Sequence, residues 1–438
     1  MLLLLAVILP LYAQKPKYVF LMIGDGMAVP QRMIADEFSR KINRGQLAMN
    51  TLPFHATTRT VSASSLVTDS AAAATAIACG EKTANGVVGY SKDFSRKLES
   101  VAVVAHKNGK KVGIITSVTI NHATPAGFYA HRKHRSQYYS IGLDLIASGF
   151  EYFGGGGVAR CDDRESPDFQ GNIYDLAAKA GYKVVRNKAD FVKLAPGVGK
   201  VLASGSPSSL PAGIDQDKSV PTLAEFTAKG IELLDNPNGF FMMVEGGRID
   251  EFGHANCSAE NLNEVLAFDQ AIKVVLDFAA KHPDETLVII TGDHETGGMT
   301  MGFAGSGRGI NIERLANQKI SGIKFHAMIK EEKKKNPEFS FDDACKLLTE
   351  YYGFKFNGDK KDPMSINSKE LALLKKGFEK GTLADSARIV MNTKAGVGWT
   401  TGKHTALPVL TTSTGVKAEL FTGFIDNTDI SKKIKSVL

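Results

Sequence analysis

Residues 17–26, KYVFLMIGDG, decide the fold of this chain. The run from Tyr18 to Ile23 carries no charge and a glycine follows it, a pattern typical of a strand buried on both faces of a sheet. Two similar runs occur at residues 239–244 (GFFMMV) and 286–291 (TLVIIT). Together the three runs predict buried strands of a mostly parallel sheet.

An acidic residue follows each of these three runs. Asp25 follows the first run, Glu245 the second and Asp293 the third. Ligands of open α/β sheets bind outside the carboxyl ends of the strands, so we expect the three acids to converge on one crevice. Because gathered carboxylates repel one another unless a positive charge lies between them, the crevice is predicted to hold metal. A single acid at such a place would more simply be a turn or cap residue.

Two further apolar runs, residues 111–117 (KVGIITS) and 407–412 (LPVLTT), continue the strand pattern. Amphipathic or alanine-rich segments lie between the runs, for example at residues 70–78 and 262–280. This alternation predicts an α/β fold with a mostly parallel central sheet and helices on both faces.

Between residues 302 and 394 the sequence becomes rich in lysine and glutamate, which predicts surface helices inserted into the strand pattern. A solvated surface is the simplest interpretation of these charges, and a lid, a crown or a partner surface is the alternative. The predicted parts are a signal peptide at 1–14, a catalytic α/β domain at 15–301 and 395–438, and the helical, charge-rich insertion at 302–394.

The apolar run of residues 1–13, MLLLLAVILPLYA, is too short for a membrane span, which needs about 20 residues. It fits the core of a signal peptide that is cleaved after Ala13. We therefore expect export to the periplasm or the medium, with no stable transmembrane segment.

Composition narrows the class of protein. The hydrophobic fraction of 43% and the charged fraction of 23% are those of an ordinary globular protein. The net charge of +7 is spread along the chain, which favours small anionic substrates over specific nucleic-acid binding, although solubility alone also explains it.

The glycines at 154–157 lack the lysine of a phosphate loop and predict a flexible turn. The four cysteines show no metal-binding spacing and are read as buried thiols or as one or two disulfides: Cys79, Cys161, Cys257 and Cys345.

Three residues predict a first metal site. Asp250 and His254 stand four positions apart, so one helical turn presents both to the same side, where they can hold zinc. His404 precedes the run at 407–412, and an antiparallel strand there would begin at the carboxyl ends of the others. Alone, His404 would be read as a surface histidine. With the other two it forms a set of three ligands that leaves one coordination position open, as catalytic zinc sites do.

A second metal is predicted beside the first. Asp293 and His294 are adjacent, and a strand end that turns can aim both at one ion, with Asp25 as third ligand. Two metals side by side can stabilise the attacking and the leaving oxygen of a phosphoryl displacement.

Ser70 is the candidate nucleophile. The alanine run after it predicts a helix that begins at or near Ser70, where the helix N-terminus favours an anion. A helix-capping serine is the alternative interpretation. A metal bound to the serine oxygen would activate it, so no Ser-His-Asp triad is required.

The stretch at 121–126, NHATPA, follows the strand run at 111–117 and supplies Thr124, a hard oxygen ligand suited to magnesium. Arg132 and Arg135 lie downstream, and a guanidinium can hold two phosphoryl oxygens at once. The same stretch is also compatible with an ordinary turn.

The motifs GDGM, TDSAAAATA, HATPAGFYAH, EGGRID-x-x-x-H, GDHETGG and GKHT occur in this order and together resemble the alkaline phosphatase family. The resemblance covers most of residues 17–300 and 396–425. It implies a phosphate monoester hydrolase that acts through a phosphoserine at Ser70 and releases inorganic phosphate. Counting along the third motif, it implies Arg135 rather than Arg132 as the residue that holds the phosphate.

The resemblance also implies two zinc ions and one magnesium ion. The implied ligands are Asp250, His254 and His404 for one zinc, Asp25, Asp293 and His294 for the other, and Asp25, Thr124 and Glu245 for magnesium. His122 lies beside the magnesium site, where family members carry aspartate or histidine, so magnesium and zinc both stay open for the third site.

Three other interpretations of the function stay open. A related phosphodiesterase or sulfatase would use the same fold. A protein that binds metal or phosphate without turnover would need the same ligands but not Ser70. A homodimer is compatible with the resemblance, and the expected substrates are small-molecule phosphomonoesters.

Overall fold

The computed structural model describes residues 15–304, 306, 309–359 and 361–438, so the predicted signal peptide at 1–14 lies outside the described residues. The strands are β1 Tyr18–Gly24, β2 Phe54–Arg59, β3 Lys111–Thr116, β4 Tyr152–Gly155, β5 Tyr182–Val185, β6 Lys200–Ser204, β7 Phe240–Gly246, β8 Thr286–Gly292, β9 Glu295–Thr296, β10 Thr300–Met301, β11 Val397–Gly398, β12 His404–Thr405, β13 Val409–Gly415 and β14 Gly423–Asp426.

The helices lie between these strands and after them. They are α1 Val29–Lys41, α2 Ser70–Cys79, α3 Val101–Lys107, α4 Ala123–Ala126, α5 Tyr138–Ser148, α6 Ile173–Lys179, α7 Lys188–Phe191, α8 Leu223–Leu234, α9 Arg248–His254, α10 Ser258–Ala279, α11 Gly322–Lys335, α12 Phe341–Tyr352, α13 Ser368–Lys380, α14 Leu383–Ala395 and α15 Asn427–Val437.

Ten strands form one sheet in the order β14-β2-β13-β8-β1-β7-β3-β4-β6-β5. Strand β1 lies between β7 and β8, parallel to both, and its Gly24 is level with Gly246 and Gly292. Strand β13 runs antiparallel to both of its neighbours, whereas the other pairings of this sheet are parallel. The predicted mostly parallel sheet is confirmed. Strand β13 has the antiparallel direction that the predicted position of His404 required.

Alternating side chains of β1 enter two separate hydrophobic cores. Phe20 and Met22 pack in a core with α1, α8 and α10, and Leu21 and Ile23 pack in another with α2, α3, α5 and α15. The predicted helices on both faces are therefore confirmed. Strand β13 begins at Val409 rather than at residue 407, because Pro408 has no N–H to donate to a neighbouring strand.

Helices α11 to α13 and all of α14 except its last residue fall within the charge-rich segment at 302–394. The two ends of that segment meet where Thr300 of β10 pairs with Gly398 of β11. Its apolar side packs into the core that contains α10, and the Ser321 hydroxyl donates to Asp215 Oδ2 at 2.8 Å. The segment thus packs against α10 and the loop that contains Asp215, while its boundaries and its role in access stay a prediction.

The glycines at 154–157 are not a flexible turn. Gly154 and Gly155 end β4 and are buried, and a Cβ on Gly155 would lie only 2.0 Å from the carbonyl oxygen of Thr116. Glycine is needed here because neighbouring backbone passes too close for any side chain.

The four cysteines, all within the described part of the chain, are free thiols. Among the residues that the structure describes, no helix combines the length and the apolar character needed to cross a membrane.

Candidate metal and phosphate site

The carboxyl edge of the central strands brings the predicted acids together. Asp25 and Asp293 come directly after β1 and β8, and Glu245 is the last residue but one of β7. All three side chains are fully buried. The aligned strand ends therefore gather the carboxylates in one crevice, at the place where α/β sheets bind ligands.

One group of potential ligands consists of Asp25, Asp293 and His294, whose ligand atoms all lie within 4.8 Å of one another. The chain turns after β8, so the adjacent Asp293 and His294 face the same point. His294 Nε2 lies 3.2 Å from Asp25 Oδ1 and 3.4 Å from Asp293 Oδ2.

A second group consists of Asp250, His254 and His404. Helix α9 carries the first two on one turn, with 3.3 Å between His254 Nε2 and Asp250 Oδ2. His404, at the start of β12, places its Nε2 3.4 Å from Asp250 Oδ1 and 3.2 Å from His254 Nε2. The structure also groups His294 with Asp250 and His404, so the two groups adjoin, as the sequence predicted for two metals side by side.

The histidine rings are oriented for metal binding. His254 Nδ1 lies 2.9 Å from the carbonyl oxygen of Gly402, and His404 Nδ1 lies 2.9 Å from that of Thr68. A carbonyl oxygen only accepts hydrogen bonds, so each Nδ1 carries the proton. In the neutral ring, each Nε2 therefore has its lone pair available for a metal ion.

A third group contains Asp25, His122 and Glu245. Thr124 Oγ1 lies 3.4 Å from Asp25 Oδ2. One oxygen of Glu245 accepts a hydrogen bond from Thr116 Oγ1 at 2.5 Å, which leaves the other oxygen for a ligand. Sequence reasoning had not picked out Thr116, although it ends the strand β3 that pairs with β7.

Four buried polar atoms of these groups make no hydrogen bond with any described residue: Asp25 Oδ1, Glu245 Oε1, Asp293 Oδ2 and His122 Nδ1. Buried polar atoms without partners are rare in folded proteins, and for the three carboxylate oxygens a bound cation is the explanation that fits. His122 Nε2 accepts from Arg135, so its Nδ1 carries the proton and is a donor rather than a metal ligand. Carboxylate and imidazole ligands suit zinc, and carboxylate and hydroxyl oxygens suit magnesium. The residues present therefore fit the metals that the motifs imply.

Protons compete with cations for the crevice. Burial, followed by the negative charge of Asp250, raises the pKa of Asp25 to about 7. Burial also raises the pKa of Glu245 and of Asp293. Burial would raise the pKa of Asp250 as well, but hydrogen bonds from His254 and His404 hold it well below its usual value. Burial and the charge of Arg135 lower the pKa of His122 to about 3, so its ring is neutral.

Ser70 is the first residue of α2 but does not cap it. Asp69 is the cap residue, and its Oδ1 accepts a hydrogen bond from Ala72 N at 3.0 Å. The interpretation of Ser70 as a capping serine is therefore wrong. Its side chain is buried at the helix N-terminus, and its Oγ lies 3.1 Å from His294 Nε2. The hydroxyl thus faces one of the candidate metal groups.

The two candidate arginines differ in what they contact. Arg135 lies near Ser70, with 3.2 Å between its Nη1 and Asp69 Oδ2 and 3.1 Å between its Nη2 and His122 Nε2. Arg132 instead forms an ion pair with Asp144 at 2.7 Å. Sequence reasoning missed the role of Asp69 as the residue that holds Arg135, although Asp69 directly precedes Ser70.

Comparisons with known proteins show which sequences and folds this chain resembles. The family model for alkaline phosphatase matches residues 16–438. Alkaline phosphatase 3 of Bacillus subtilis is 32% identical over 449 aligned positions, which cover 96% of this chain and 89% of the relative. The crystal structure of a cold-active alkaline phosphatase from Shewanella sp. matches with a TM-score of 0.84 and 29% identity, and 96% of this chain and 99% of that chain are covered.

A second similar structure is that of an alkaline phosphatase from the Antarctic bacterium TAB5. It matches with a TM-score of 0.70 and 26% identity, over 97% of this chain and 98% of that chain. Two of the matching TAB5 structures are of variants in which a histidine is replaced by glutamate or aspartate, with Mg bound in a site called M3.

Zinc affinity of the metal-free protein is expected to fall as the pH is lowered from 8 to 6. Asp25, with its pKa raised to about 7, is increasingly protonated over this range, and zinc must displace the proton. For one proton with a pKa of about 7, the expected loss is about tenfold over these two pH units together. Competition with a chelator of known pH dependence measures it.

Glu264→Gln is the matched control. Burial also raises the pKa of Glu264 to about 7, but this residue is on α10 and outside the three groups. The variant is expected to keep the pH slope of the wild type. A wild-type affinity that does not change with pH would contradict proton competition in the crevice.

Proposed function

The chain belongs to the alkaline phosphatase family and is a phosphoric monoester hydrolase, and on that premise we propose that it acts through a phosphoserine at Ser70. The observation that carries this proposal is the position of Ser70. Its hydroxyl is free of any capping role and lies 3.1 Å from His294 Nε2, beside buried carboxylate oxygens that lack partners.

We assign the metals by ligand chemistry. Zinc would be held by Asp250, His254 and His404 at one site and by Asp25, Asp293 and His294 at the other, and magnesium by Asp25, Thr124 and Glu245. When bound, the metals would lower the pKa of the serine hydroxyl and neutralise charge on the transferred phosphoryl group. His122 would tune the choice of metal at the third site.

Ser70 Oγ would attack phosphorus, forming an O–P bond while the bond to the departing alcohol breaks. Arg135 would bind two phosphoryl oxygens through its planar guanidinium. Asp69 and His122 hold that guanidinium in place, and the N-terminus of α2 favours the negative charge next to Ser70. Water would then cleave the phosphoserine, releasing inorganic phosphate and restoring the hydroxyl.

Two parts of the proposal concern the whole protein. We propose that it is exported, on the basis of the apolar run at residues 1–13. Small phosphomonoesters are the proposed substrates, and comparison of phosphate monoester, phosphate diester and sulfate ester turnover separates this proposal from the phosphodiesterase and sulfatase alternatives. The homodimer stays a prediction.

Ser70→Ala is expected to lower phosphomonoester turnover at least about a thousandfold, because the nucleophile is removed. Zinc content should stay at the wild-type level, since every proposed ligand remains. Steady-state kinetics and metal analysis measure the two effects. Ser65→Ala, in the exposed loop before α2, is the control and should keep both properties. Undiminished turnover of Ser70→Ala would contradict the assignment.

Arg135→Lys is expected to weaken phosphate and transition-state binding by about 1–3 kcal/mol, because lysine keeps the charge but loses the planar fork. The inhibition constant of inorganic phosphate and kcat/KM report this loss. Arg132→Lys is the matched control, since Arg132 pairs with Asp144 rather than facing Ser70. If the control shows the defect and Arg135→Lys does not, the phosphate is held elsewhere.

His122→Asp is expected to make the third site more selective for magnesium. Imidazole suits zinc better than magnesium, whereas a carboxylate attracts magnesium and can hold its water ligands. Excess zinc should therefore displace magnesium and lower activity in the wild type, and less so in the variant. Metal content and activity across a zinc-to-magnesium titration measure this, and identical curves would exclude the role of His122.

A further inference from the structure

The hydroxyl of Thr296 contacts one ligand from each of the two proposed zinc sites. Thr296 is the second residue of β9 and is fully buried. Its Oγ1 donates a hydrogen bond to Asp250 Oδ1 and lies 3.2 Å from His294 Nδ1. In the proposed assignment Asp250 belongs to the zinc site with His404, and His294 to the zinc site with Asp25. His294 also lies within 4.8 Å of ligand atoms of Asp250 and His404, so the two sites adjoin at Thr296.

The direction of these two hydrogen bonds follows from simple counting. A hydroxyl has one proton to donate, and an ionised carboxylate can only accept. The proton of Thr296 therefore goes to Asp250, and toward His294 the hydroxyl acts as acceptor. His294 must then carry its proton on Nδ1, which leaves the lone pair of Nε2 free on the side of Asp25 and Ser70.

The other two histidines of the proposed zinc sites are fixed differently. His254 and His404 donate from Nδ1 to backbone carbonyl oxygens, of Gly402 and Thr68. Each of these two carbonyl groups orients a single histidine ring and, among the described residues, accepts no hydrogen bond from a ligand of the other site. The Thr296 hydroxyl orients a ring and at the same time holds an oxygen of a ligand in the neighbouring site.

The surrounding backbone holds Thr296 in position. Its N–H donates to Gly26 O at 3.3 Å, and its carbonyl accepts from Gln31 Nε2 at 2.9 Å. A Cβ on Gly26 would lie 2.7 Å from Thr296 Oγ1, and one on Gly253 would lie 3.0 Å from Thr296 Cβ. Glycine at these two positions allows the Asp25 turn and α9 to close around the hydroxyl.

We propose that Thr296 is a positioning residue that sets the ligand atoms of both zinc sites and couples the binding of one zinc to the other. The inference rests on the proposed function, in which Asp250 and His294 hold different zinc ions. In this proposal the Thr296 hydroxyl determines which nitrogen of His294 carries the proton. It also determines which oxygen of Asp250 stays free to bind zinc.

Thr296→Val keeps the branched shape and removes the hydroxyl, whereas Thr296→Ser keeps the hydroxyl. Thr296→Val is expected to weaken zinc binding at both sites by about 10- to 100-fold, the usual effect of losing a hydrogen-bond partner of a metal ligand. Thr296→Ser should bind zinc at both sites with an affinity within about threefold of that of the wild type. Stepwise chelator competition measures both affinities, and metal analysis measures the content.

A melting curve of each metal-free protein separates positioning from folding. Positioning predicts the same melting temperature for metal-free wild type and Thr296→Val and a smaller gain in the variant when zinc is added. Thr58→Val is the matched control, since it removes another buried hydroxyl. Thr58 is on β2, where its hydroxyl bonds to that of Thr411 on β13 at 2.7 Å. This variant should keep wild-type zinc affinity. If Thr296→Val does not fold, Thr296→Ala replaces it.

The outcomes separate the inference from the function on which it rests. Wild-type protein that binds no zinc would overturn the proposed zinc sites themselves. Wild-type protein with two zinc ions, together with unchanged affinities in Thr296→Val, would overturn the role of Thr296 alone. Equal losses in Thr296→Ser and Thr296→Val would show that shape rather than the hydroxyl matters, which also overturns it. A loss confined to one site would overturn the coupling.

Discussion

Repulsion between buried carboxylates is the constraint on which the site depends. Asp25, Glu245, Asp250 and Asp293 lie together at one edge of the sheet, and none of them is more than 7% exposed. Carboxylates removed from water at such short range either keep their protons or share a cation. Burial raises the pKa of Asp25, Glu245 and Asp293, as expected for a site that loses protons when metal binds.

The sheet makes this crowding unavoidable. Strands β1, β7 and β8 are neighbours in matched register, so the residues after them are held side by side by a ladder of backbone hydrogen bonds. Strand β13 runs antiparallel to β8 and therefore begins at the same edge of the sheet. His404 lies at this edge too, because it is in the short strand β12 just before β13. Both faces of the sheet are covered by apolar cores, which fix the strand ends rigidly under the site.

Much of this was predictable from local sequence features. Uninterrupted apolar runs identified the central strands, and an acid after each run predicted the crevice. Spacing within one helical turn brought Asp250 and His254 to the same side of α9. Local features left a capping role open for Ser70, and the structure excludes it because the neighbouring Asp69 caps the helix. The glycines at 154–157 likewise reflect close backbone approach rather than a flexible turn.

The sequence by itself determined strands β1, β3, β7, β8 and β13, the α/β class and the residue types of the site, because hydrophobic patterning and side-chain chemistry are properties of short segments. The tertiary structure alone decided that Arg135 reaches Asp69 and His122 while Arg132 pairs with Asp144. It alone placed the Thr296 hydroxyl between Asp250 and His294. The physical reason is that hydrogen bonds have ranges of about 3 Å, and which groups come that close depends on how distant segments pack.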